Sequence, residues 1–228
     1  MIRTRLDAEE RRKAIVETAL PLFARKGFAG TTTKEIARAA GVSEALVFQH
    51  FPSKAALYEA IVQGGCEGEP ELEWLGSLPP STATLVRMVE FMLEHFVLGA
   101  ECEDTDHRLA LHSLLGDGEY LSLVHGWVTE RVYPVFAACM TAAEQAGDLG
   151  PHGRRSSVND FWFAEHVASC IAYARLPGRS AVPYAGELRT VIDDAARFIL
   201  RGLGLTDEAI ARHHGCGAAR ATLAETRT

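Results

Sequence analysis

Residues 31 to 54 read TTTKEIARAAGVSEALVFQHFPSK, and this stretch decides how the N-terminal part of the chain folds. Thr33 is predicted to be the N-cap of a short helix, with Glu35 in its first turn and Ile36 on its buried face. Gly41 follows the last apolar position of that helix, and glycine adopts the left-handed conformation that ends a helix at no steric cost. The sequence therefore predicts a short helix that ends in a tight glycine turn.

A second short helix follows this turn. Ser43 is predicted to cap it, and the apolar spacing of residues 44–51 buries Phe51 together with Leu46 or Val47. Two short helices joined by a glycine-containing turn form a helix-turn-helix, whose second helix enters the major groove of DNA. We therefore interpret residues 31–54 as a DNA-reading unit.

A third helix is predicted to begin next to this unit. Ser53 is its expected N-cap, and Leu57, Tyr58 and Ile61 share its buried face. This arrangement puts Lys54 in the first turn, where free backbone N–H groups and the helix dipole attract a phosphate. The start of this helix therefore belongs to the same anion-facing surface.

Over residues 10–64 the chain resembles the TetR family of bacterial transcriptional regulators. The family pattern G-V-S-x-x-x-[VL]-[YF]-x-H-F-x-[SN]-K is matched by Gly41, Val42, Ser43, Val47, Phe48, His50, Phe51, Ser53 and Lys54. The predicted DNA-binding residues are Thr33, Lys34, Ser43, Glu44, Ala45, Leu46, Phe48, Gln49, His50 and Lys54. The resemblance implies phosphate contacts from Thr33, His50 and Lys54. It implies base-edge or methyl contacts from Glu44, Ala45, Leu46 and Gln49.

One position departs from the family pattern. The aromatic residue is often Tyr in the family, where its hydroxyl contacts a phosphate, whereas here it is Phe48. The missing hydrogen bond corresponds to about 1 kcal/mol. Phe48 still has an apolar ring to pack against the sugar-phosphate wall, so the prediction of DNA binding is kept. Val47 and Phe51 are interpreted as core, and Leu46 as either core or contact.

The charge distribution is typical of a DNA-binding domain joined to a separate body, although the whole chain is acidic. The 228 residues carry a formal net charge of −7. Residues 1–64 contain 10 Lys and Arg against 7 Asp and Glu, whereas residues 65–228 contain 13 against 23. The basic part therefore coincides with the predicted DNA-reading unit.

Composition argues against several other protein classes. A hydrophobic content of 47% with 23% charged residues is ordinary for a folded chain. No apolar run is long enough for a signal peptide or a membrane span. The five cysteines are scattered without a CxxC pair, which is typical of reduced thiols. We therefore expect a cytoplasmic protein.

Motifs of enzymes and metal sites are weak or absent. The sequence contains no GxSxG, no HExxH and no P-loop. Asp104 and His107 form one carboxylate–histidine pair where a di-metal centre needs two. His213, His214 and Cys216 have no fourth ligand at ordinary spacing, and we interpret this tail as a solvated terminus. We therefore expect no catalysis, no metal and no cofactor.

Helical periodicity along the chain predicts an all-α fold. The first helix is expected to end at Gly27. Glycines, prolines and acidic residues break the periodicity over residues 65–80 and mark a boundary. The predicted division is a DNA-binding domain at 1–52, a connecting helix at 53–66, and a ligand-binding and dimerisation domain at 67–228.

The body is predicted to hold a small-molecule site. A long helix over about 119–146 is expected to kink at Pro134, because proline removes one backbone hydrogen bond. The residues before and within this helix mix aromatic and apolar side chains with a few polar ones, which suits a mainly hydrophobic pocket, although each alone is more often ordinary core. The predicted ligand-binding residues are Phe91, Met92, His95, Phe96, His112, Trp127, Arg131 and Phe136.

Two C-terminal helices are predicted to form a dimer interface. The helix over 159–176 is apolar on nearly every side, and a helix of that kind must be buried on every side. The helix over 187–202 carries a strong apolar stripe, so pairing both helices with a second copy buries both, although the core of a monomer is the alternative. The predicted interface residues are Phe161, Trp162, Val167, Ile171, Leu188, Val191, Ile192, Ala195, Phe198 and Ile199.

These patterns together favour a homodimeric repressor. It is expected to bind double-stranded DNA at a palindromic operator, because two reading helices about 34 Å apart match successive turns of the duplex. A small apolar or amphipathic effector is expected to release it. The alternative is a helical small-molecule binding protein or enzyme that keeps a vestigial DNA-binding domain.

Overall fold

The computed structural model describes residues 7–66, 74, 76–102, 105–151, 157–176 and 180–215. The helices of these residues are α1 (Ala8–Gly30), α2 (Thr33–Ala39), α3 (Glu44–His50), α4 (Lys54–Cys66), α5 (Thr82–Cys102), α6 (Thr105–Leu115), α7 (Glu119–Arg131), α8 (Tyr133–Gln145), α9 (Val158–Tyr173), α10 (Leu188–Gly202) and α11 (Asp207–His213). The β-structure in the described ranges is a single antiparallel bridge between Leu149 and Leu205. The predicted all-α fold is therefore confirmed.

Helix α1 begins with a side-chain cap and is interrupted at a glycine. Asp7 and Glu10 form a reciprocal capping box at its start. Gly27 has a φ of 69°, which breaks the helix, and a short helical turn continues to Gly30. The predicted end at Gly27 is therefore present as a kink. None of the helices in the described part of the chain combines the length and apolarity needed to cross a membrane.

The chain forms two compact units, which differ from the division predicted from the sequence. The first unit comprises Met1–Pro70 with Glu103–Val128, and the second comprises Glu71–Cys102 with Thr129–Thr228. The predicted functional boundaries at 52 and 66 therefore stay a prediction. The difference arises because one segment of the predicted body, residues 103–128, packs with the N-terminal helices.

In the first unit, α1 is the central element. It packs against α2, α4 and α6, and α2 packs against α3. Ile15, Ala19 and Phe23 of α1 are fully buried, as is Leu109 of α6. Helix α6 was predicted to belong to the ligand-binding domain, and its contact with α1 joins residues too distant in sequence for periodicity to reveal.

In the second unit, α5 is the central element and packs against α8, α9, α10 and α11. Leu85, Leu93 and Val97 of α5 are fully buried, and so is Leu200 of α10. A helix that is covered from several sides explains why α5 shows apolar residues around most of its circumference.

The long helix predicted over 119–146 is two helices. Helix α7 ends at Arg131 and α8 begins at Tyr133, with Pro134 in its first turn. Proline lacks the N–H group that would continue the hydrogen bonding of the preceding helix, yet it fits the first turn of a new one. The kink predicted at Pro134 within one helix is instead a complete break between two helices.

A buried carboxylate joins the start of α5 to the C-terminal helix of the second unit. Asp148 accepts hydrogen bonds from Thr82 Oγ1 at 2.6 Å and from the Arg212 guanidinium. Burial of Asp148 opposes its ionisation, but these hydrogen bonds and the charges of Arg212 and His213 outweigh burial and lower its pKa. The backbone carbonyl of Asp148 also accepts from the Thr206 amide at 2.9 Å, so this residue holds three segments together.

The C-terminal tail is not solvated at His214, contrary to the prediction. The His214 side chain is 3% exposed, and its Nδ1 lies 2.8 Å from Glu90 Oε1 of α5. The hydrogen bond satisfies a buried polar ring, which explains why this histidine lies in a core. Cys216 and Asp104, which were weighed as metal ligands, lie outside the described residues. Among the residues that are described, no group of His, Cys, Asp and Glu has a metal-binding arrangement.

Candidate nucleic-acid interface

The N-terminus of α2 is one residue earlier than predicted. Thr32, rather than Thr33, is the N-cap, and its side chain accepts from the Glu35 amide while Glu35 accepts from the Thr32 amide. The signal was present in the sequence as Thr32-x-x-Glu35, the spacing of a capping box. Thr33 is consequently the first residue of α2, and its side chain is available for another contact.

The turn between α2 and α3 has the predicted geometry. Gly41 has a φ of 67°. Its amide donates to Arg38 O at 3.3 Å, and the Val42 amide donates to Ala37 O at 2.9 Å. These two bonds make a Schellman motif, which satisfies carbonyls that the end of a helix leaves open. The prediction that glycine ends α2 is confirmed.

Helix α3 divides its residues between the core and the surface. Ser43 caps it by accepting from the Leu46 amide. Val47 and Phe51 are 1% and 2% exposed, as predicted for core positions, whereas Phe48 is 45% exposed. The Phe48 ring is therefore on the solvent side of α3, together with the exposed side chain of Gln49.

The residues predicted to bind DNA lie on α2, on α3 and at the start of α4. Those with exposed side chains are Lys34, Ser43, Glu44, Ala45, Phe48 and Gln49. Those that are half-buried are Thr33, Leu46, His50 and Lys54. No member of the set is buried, so the set remains compatible with a binding surface. The individual DNA contacts stay predictions.

Thr33 and Glu44 contact each other across the two helices. Thr33 Oγ1 donates a hydrogen bond to Glu44 Oε1. This contact fixes a carboxylate at the first turn of α3, where the helix dipole favours a negative charge. Thr33 was predicted to contact a phosphate, and in this structure its donor is directed at Glu44 instead.

Lys54 was predicted to face a phosphate, but its ammonium group is held inside the first unit. Nζ donates to Phe28 O at 2.6 Å and to Thr31 O at 3.1 Å. The same atom lies 4.1 Å from the centroid of the Phe28 ring. The sequence pattern gave no indication of this arrangement, because Phe28 and Thr31 lie more than twenty positions before Lys54.

A salt bridge connects the end of α1 to the start of α2. Lys26 Nζ lies 2.6 Å from Glu35 Oε1. The hydrogen bonds from Lys26 and from Thr32 lower the pKa of Glu35 to about 2. Glu35 therefore remains ionised over the physiological range, which preserves the cap of α2 and cancels one positive charge of this surface.

Arg12 is a further residue of this region that sequence reasoning missed. Its guanidinium carbon lies 4.7 Å from the centroid of the Phe51 ring. The contact joins α1 to the residue that ends α3, and a guanidinium over an aromatic face is attractive. Arg12 is half-buried, so it contributes both packing and positive charge.

Residues 15–61, which contain this helix-turn-helix, match the family model described as bacterial regulatory proteins, tetR family. This segment is a tetR-family helix-turn-helix region. The match covers the N-terminal helices, where the pattern of capping residues, glycine and buried apolar positions is found.

Individual curated relatives each match part of the chain. It is 34% identical over 89 residues to the HTH-type transcriptional regulator AcrR of Shigella flexneri, which is 38% of this chain and 41% of AcrR. It is 45% identical over 53 residues to the HTH-type transcriptional regulator RutR of Escherichia coli strain K12, which is 23% of this chain and 25% of RutR. The chain thus spans less than half the length of these curated relatives.

Two solved structures share the fold over most of the chain. AibR, in complex with isovaleryl coenzyme A and operator DNA, superposes with a TM-score of 0.60 at 18% identity and covers 86% of this chain and 100% of AibR. GusR of Salmonella enterica superposes with a TM-score of 0.56 at 18% identity and covers 87% of this chain and 97% of GusR. At this identity the likeness shows a shared fold that extends beyond the helix-turn-helix, and nothing more specific.

The predicted ligand-binding residues are divided between the two units of the chain. His112 and Trp127 belong to the first unit, and the other six belong to the second. His112 of α6 lies beside α1, because a Cβ atom on Gly27 would lie 3.7 Å from its Nδ1. His95, His112 and Arg131 are exposed, whereas Phe91, Met92, Phe96 and Trp127 are half-buried. A single pocket formed by all eight stays a prediction.

One predicted ligand-binding residue, Phe136, packs within a cluster of aromatic side chains. Phe136 is 2% exposed, and its ring lies 5.2 Å, centroid to centroid, from that of Phe161. Tyr133 and Trp162 also pack against Phe161, at 5.9 and 5.1 Å. Edge-to-face contacts of this kind stabilise a core. This packing favours the alternative interpretation of Phe136 as ordinary core, and its role in ligand binding stays a prediction.

The predicted dimer residues divide in the same way. The six that are buried within the single chain are Phe161, Ile171, Val191, Ile192, Ala195 and Ile199. These six side chains are buried within the second unit of the single chain, and their part in a dimer interface stays a prediction. Trp162, Val167 and Leu188 are half-buried, and Phe198 is 68% exposed. Phe163, which was not included in the prediction, is 64% exposed.

A small cavity lies between the end of α9 and the start of α10. Its volume is about 260 Å³. The lining residues are Ile171, Arg175, Ser180, Val182, Pro183, Tyr184, Gly186, Leu188 and Val191. None of the eight predicted ligand-binding residues lines it.

Proposed function

We propose that this chain is a DNA-binding transcriptional regulator that reads operator DNA with α2 and α3. The proposal rests on the way α2 and α3 separate their buried side chains from their exposed ones. Ile36, Ala37 and Val47 are buried, whereas Phe48, Gln49 and Lys34 of the same two short helices are exposed. A fixed pair of helices that presents both a cation and hydrogen-bonding side chains suits phosphate contact together with base readout.

We propose further that the functional form is a homodimer. Helices α9 and α10 pack against each other in the second unit. Each carries a large exposed aromatic residue, Phe163 on α9 and Phe198 on α10. Apolar side chains exposed on adjacent helices suit an interface that a second copy covers by self-complementarity. A two-fold dimer would place two reading helices on one palindromic site.

A small organic effector is the proposed regulator of DNA binding. The AibR structure, which shares this fold, holds isovaleryl coenzyme A together with operator DNA. The effector site proposed for this chain lies among the half-buried residues Phe91, Met92 and Phe96 of α5. An effector that binds only the arrangement of the dimer that does not fit DNA would lower the affinity for DNA. DNA would lower the affinity for the effector by the same factor, because the coupling free energy between two sites is reciprocal.

Selection of bound fragments from a random DNA pool tests the proposal. We expect a palindromic motif whose two halves are about one helical turn apart. Binding of labelled DNA carrying this motif should weaken steeply between about 50 and 200 mM salt, because each neutralised phosphate releases counterions. Recovery of no motif, with no salt-dependent retention of DNA, would leave the helical small-molecule binding protein or enzyme as the better account.

A further inference from the structure

Thr31 lies between α1 and α2, and its buried side chain stabilises the junction of these two helices. This residue is fully buried. Its hydroxyl donates to Gly27 O at 2.9 Å and lies 3.2 Å from Leu22 O. The positive φ of Gly27 kinks α1 here, and these bonds tie Thr31 to carbonyls on both sides of the kink region.

Lys54 of α4 contacts the same junction of α1 and α2. Its ammonium donates to the carbonyls of Phe28 and Thr31, at 2.6 and 3.1 Å, and lies over the Phe28 ring at 4.1 Å. The Phe28 ring in turn contacts Phe23 and Tyr58, with centroid distances of 6.0 and 5.0 Å. Two acceptors and one aromatic face therefore fix the lysine at a half-buried position.

The junction that Thr31 and Lys54 stabilise leads directly into α2. Thr31 precedes Thr32, and Thr32 is the N-cap that accepts from the Glu35 amide. Lys54 is the first residue of α4. Its bond to the Thr31 carbonyl thus ties the first turn of α4 to the residue before the N-cap of α2.

We propose that Lys54 is a positioning residue, which clamps the start of α2 to the start of α4 and does not neutralise a DNA phosphate. The inference rests on the proposed DNA-binding function and revises one of its expected contacts. Two of the three N–H donors of the ammonium are used by the carbonyls and its charge lies over the Phe28 ring, so a phosphate contact would compete with all three interactions. Lys34 provides the contrast, because it is exposed in the first turn of α2.

The salt dependence of DNA binding separates the two roles. Each phosphate contact contributes about 0.9 to the slope of the logarithm of the binding constant against the logarithm of salt concentration. For Lys54→Met, which keeps the apolar stem, we expect about tenfold weaker binding with an unchanged slope. For the matched variant Lys34→Met, we expect the slope to fall by about 0.9. A comparable fall in Lys54→Met would overturn the proposal.

Hydrogen exchange of the DNA-free protein provides a second measurement. A clamp acts without DNA, whereas a phosphate contact does not exist without it. We expect the amides of Glu35 and Ile36, which bond to Thr32, to exchange at least several-fold faster in Lys54→Met and at the wild-type rate in Lys34→Met. Unchanged exchange in Lys54→Met would refute the clamp. If the wild-type protein bound no DNA, the proposed function would fail, and exchange alone would decide the role of Lys54.

Discussion

Thr33 Oγ1 donates a hydrogen bond to Glu44 Oε1, although the two residues lie eleven positions apart on different helices. The bond orients a carboxylate at the exposed start of the proposed recognition helix. A carboxylate near DNA is repelled by phosphates, and the base-edge groups it can accept from are amines such as N4 of cytosine. Glu44 is therefore expected to act through specificity more than through affinity.

We expect Glu44→Gln to change the preferred base at one operator position from cytosine towards adenine. Glutamine pairs with the N6 and N7 atoms of adenine, whereas a carboxylate accepts from cytosine. Discrimination between the two bases should change by about 1–3 kcal/mol. Motif selection with both proteins measures the effect. Thr33→Val is the control, and it should weaken discrimination at that position without changing the preferred base; an identical motif from Glu44→Gln would contradict the base contact.

The Gly41→Ala substitution is expected to destabilise the first unit by about 1–2 kcal/mol, because an L-residue with a side chain is strained in the left-handed region. Gly41 has a φ of 67°. Denaturant unfolding measures the loss. Gly64→Ala is the matched control: Gly64 lies in α4, where a Cβ atom would meet nothing within 4 Å, so alanine should be neutral or stabilising. Equal stability of the two variants would disprove the strain argument.

The Asp148→Asn substitution is expected to destabilise the second unit by about 1–3 kcal/mol. The side chain of Asp148 is 6% exposed and loses its charged bond with Arg212. Asp207→Asn is the control, because the Asp207–Arg201 pair is 71% and 58% exposed and should contribute less than about 1 kcal/mol. Urea unfolding at neutral pH compares the two. A smaller loss for Asp148→Asn than for Asp207→Asn would contradict the assigned role.

The stabilisation by Asp148 should also depend on pH. Its folded-state pKa is lowered from the ordinary value of 3.8. A carboxyl group of this kind contributes its full stability above the unfolded pKa and loses it as pH falls through the folded pKa. The stability difference between wild type and Asp148→Asn should thus be constant near neutral pH and shrink below about 3.8. A stability difference that grows on acidification would show that the folded-state pKa of Asp148 is not lowered.

Phe198→Glu is expected to convert the proposed dimer into monomers without unfolding the chain, because its ring is already 68% exposed in the single chain. Light scattering gives the mass, and circular dichroism verifies the fold. Leu115→Glu is the control, since Leu115 is 87% exposed in the first unit and lies outside the proposed interface. A folded, dimeric Phe198→Glu protein would place the interface elsewhere.

Local chemistry made the helix-turn-helix predictable. The conformation of Gly41, the cap at Ser43 and the break at Pro134 depend on residues within one or two turns, so they can be recognised in a linear pattern. The N-cap of α2 was misplaced by one residue because three adjacent threonines offer similar capping groups, and only the spacing to Glu35 distinguishes Thr32.

The sequence by itself determined the all-α class, the helix-turn-helix and the positions of its main turns, because neighbouring residues set helix ends. Only the tertiary structure decided that α6 packs on α1, that Phe136 and Phe161 share a core, and that Lys54 points at the carbonyls of Phe28 and Thr31. Each of these contacts joins residues far apart in sequence. Periodicity shows which face of a helix is apolar, but it does not specify which other helix, or which second copy of the chain, covers that face.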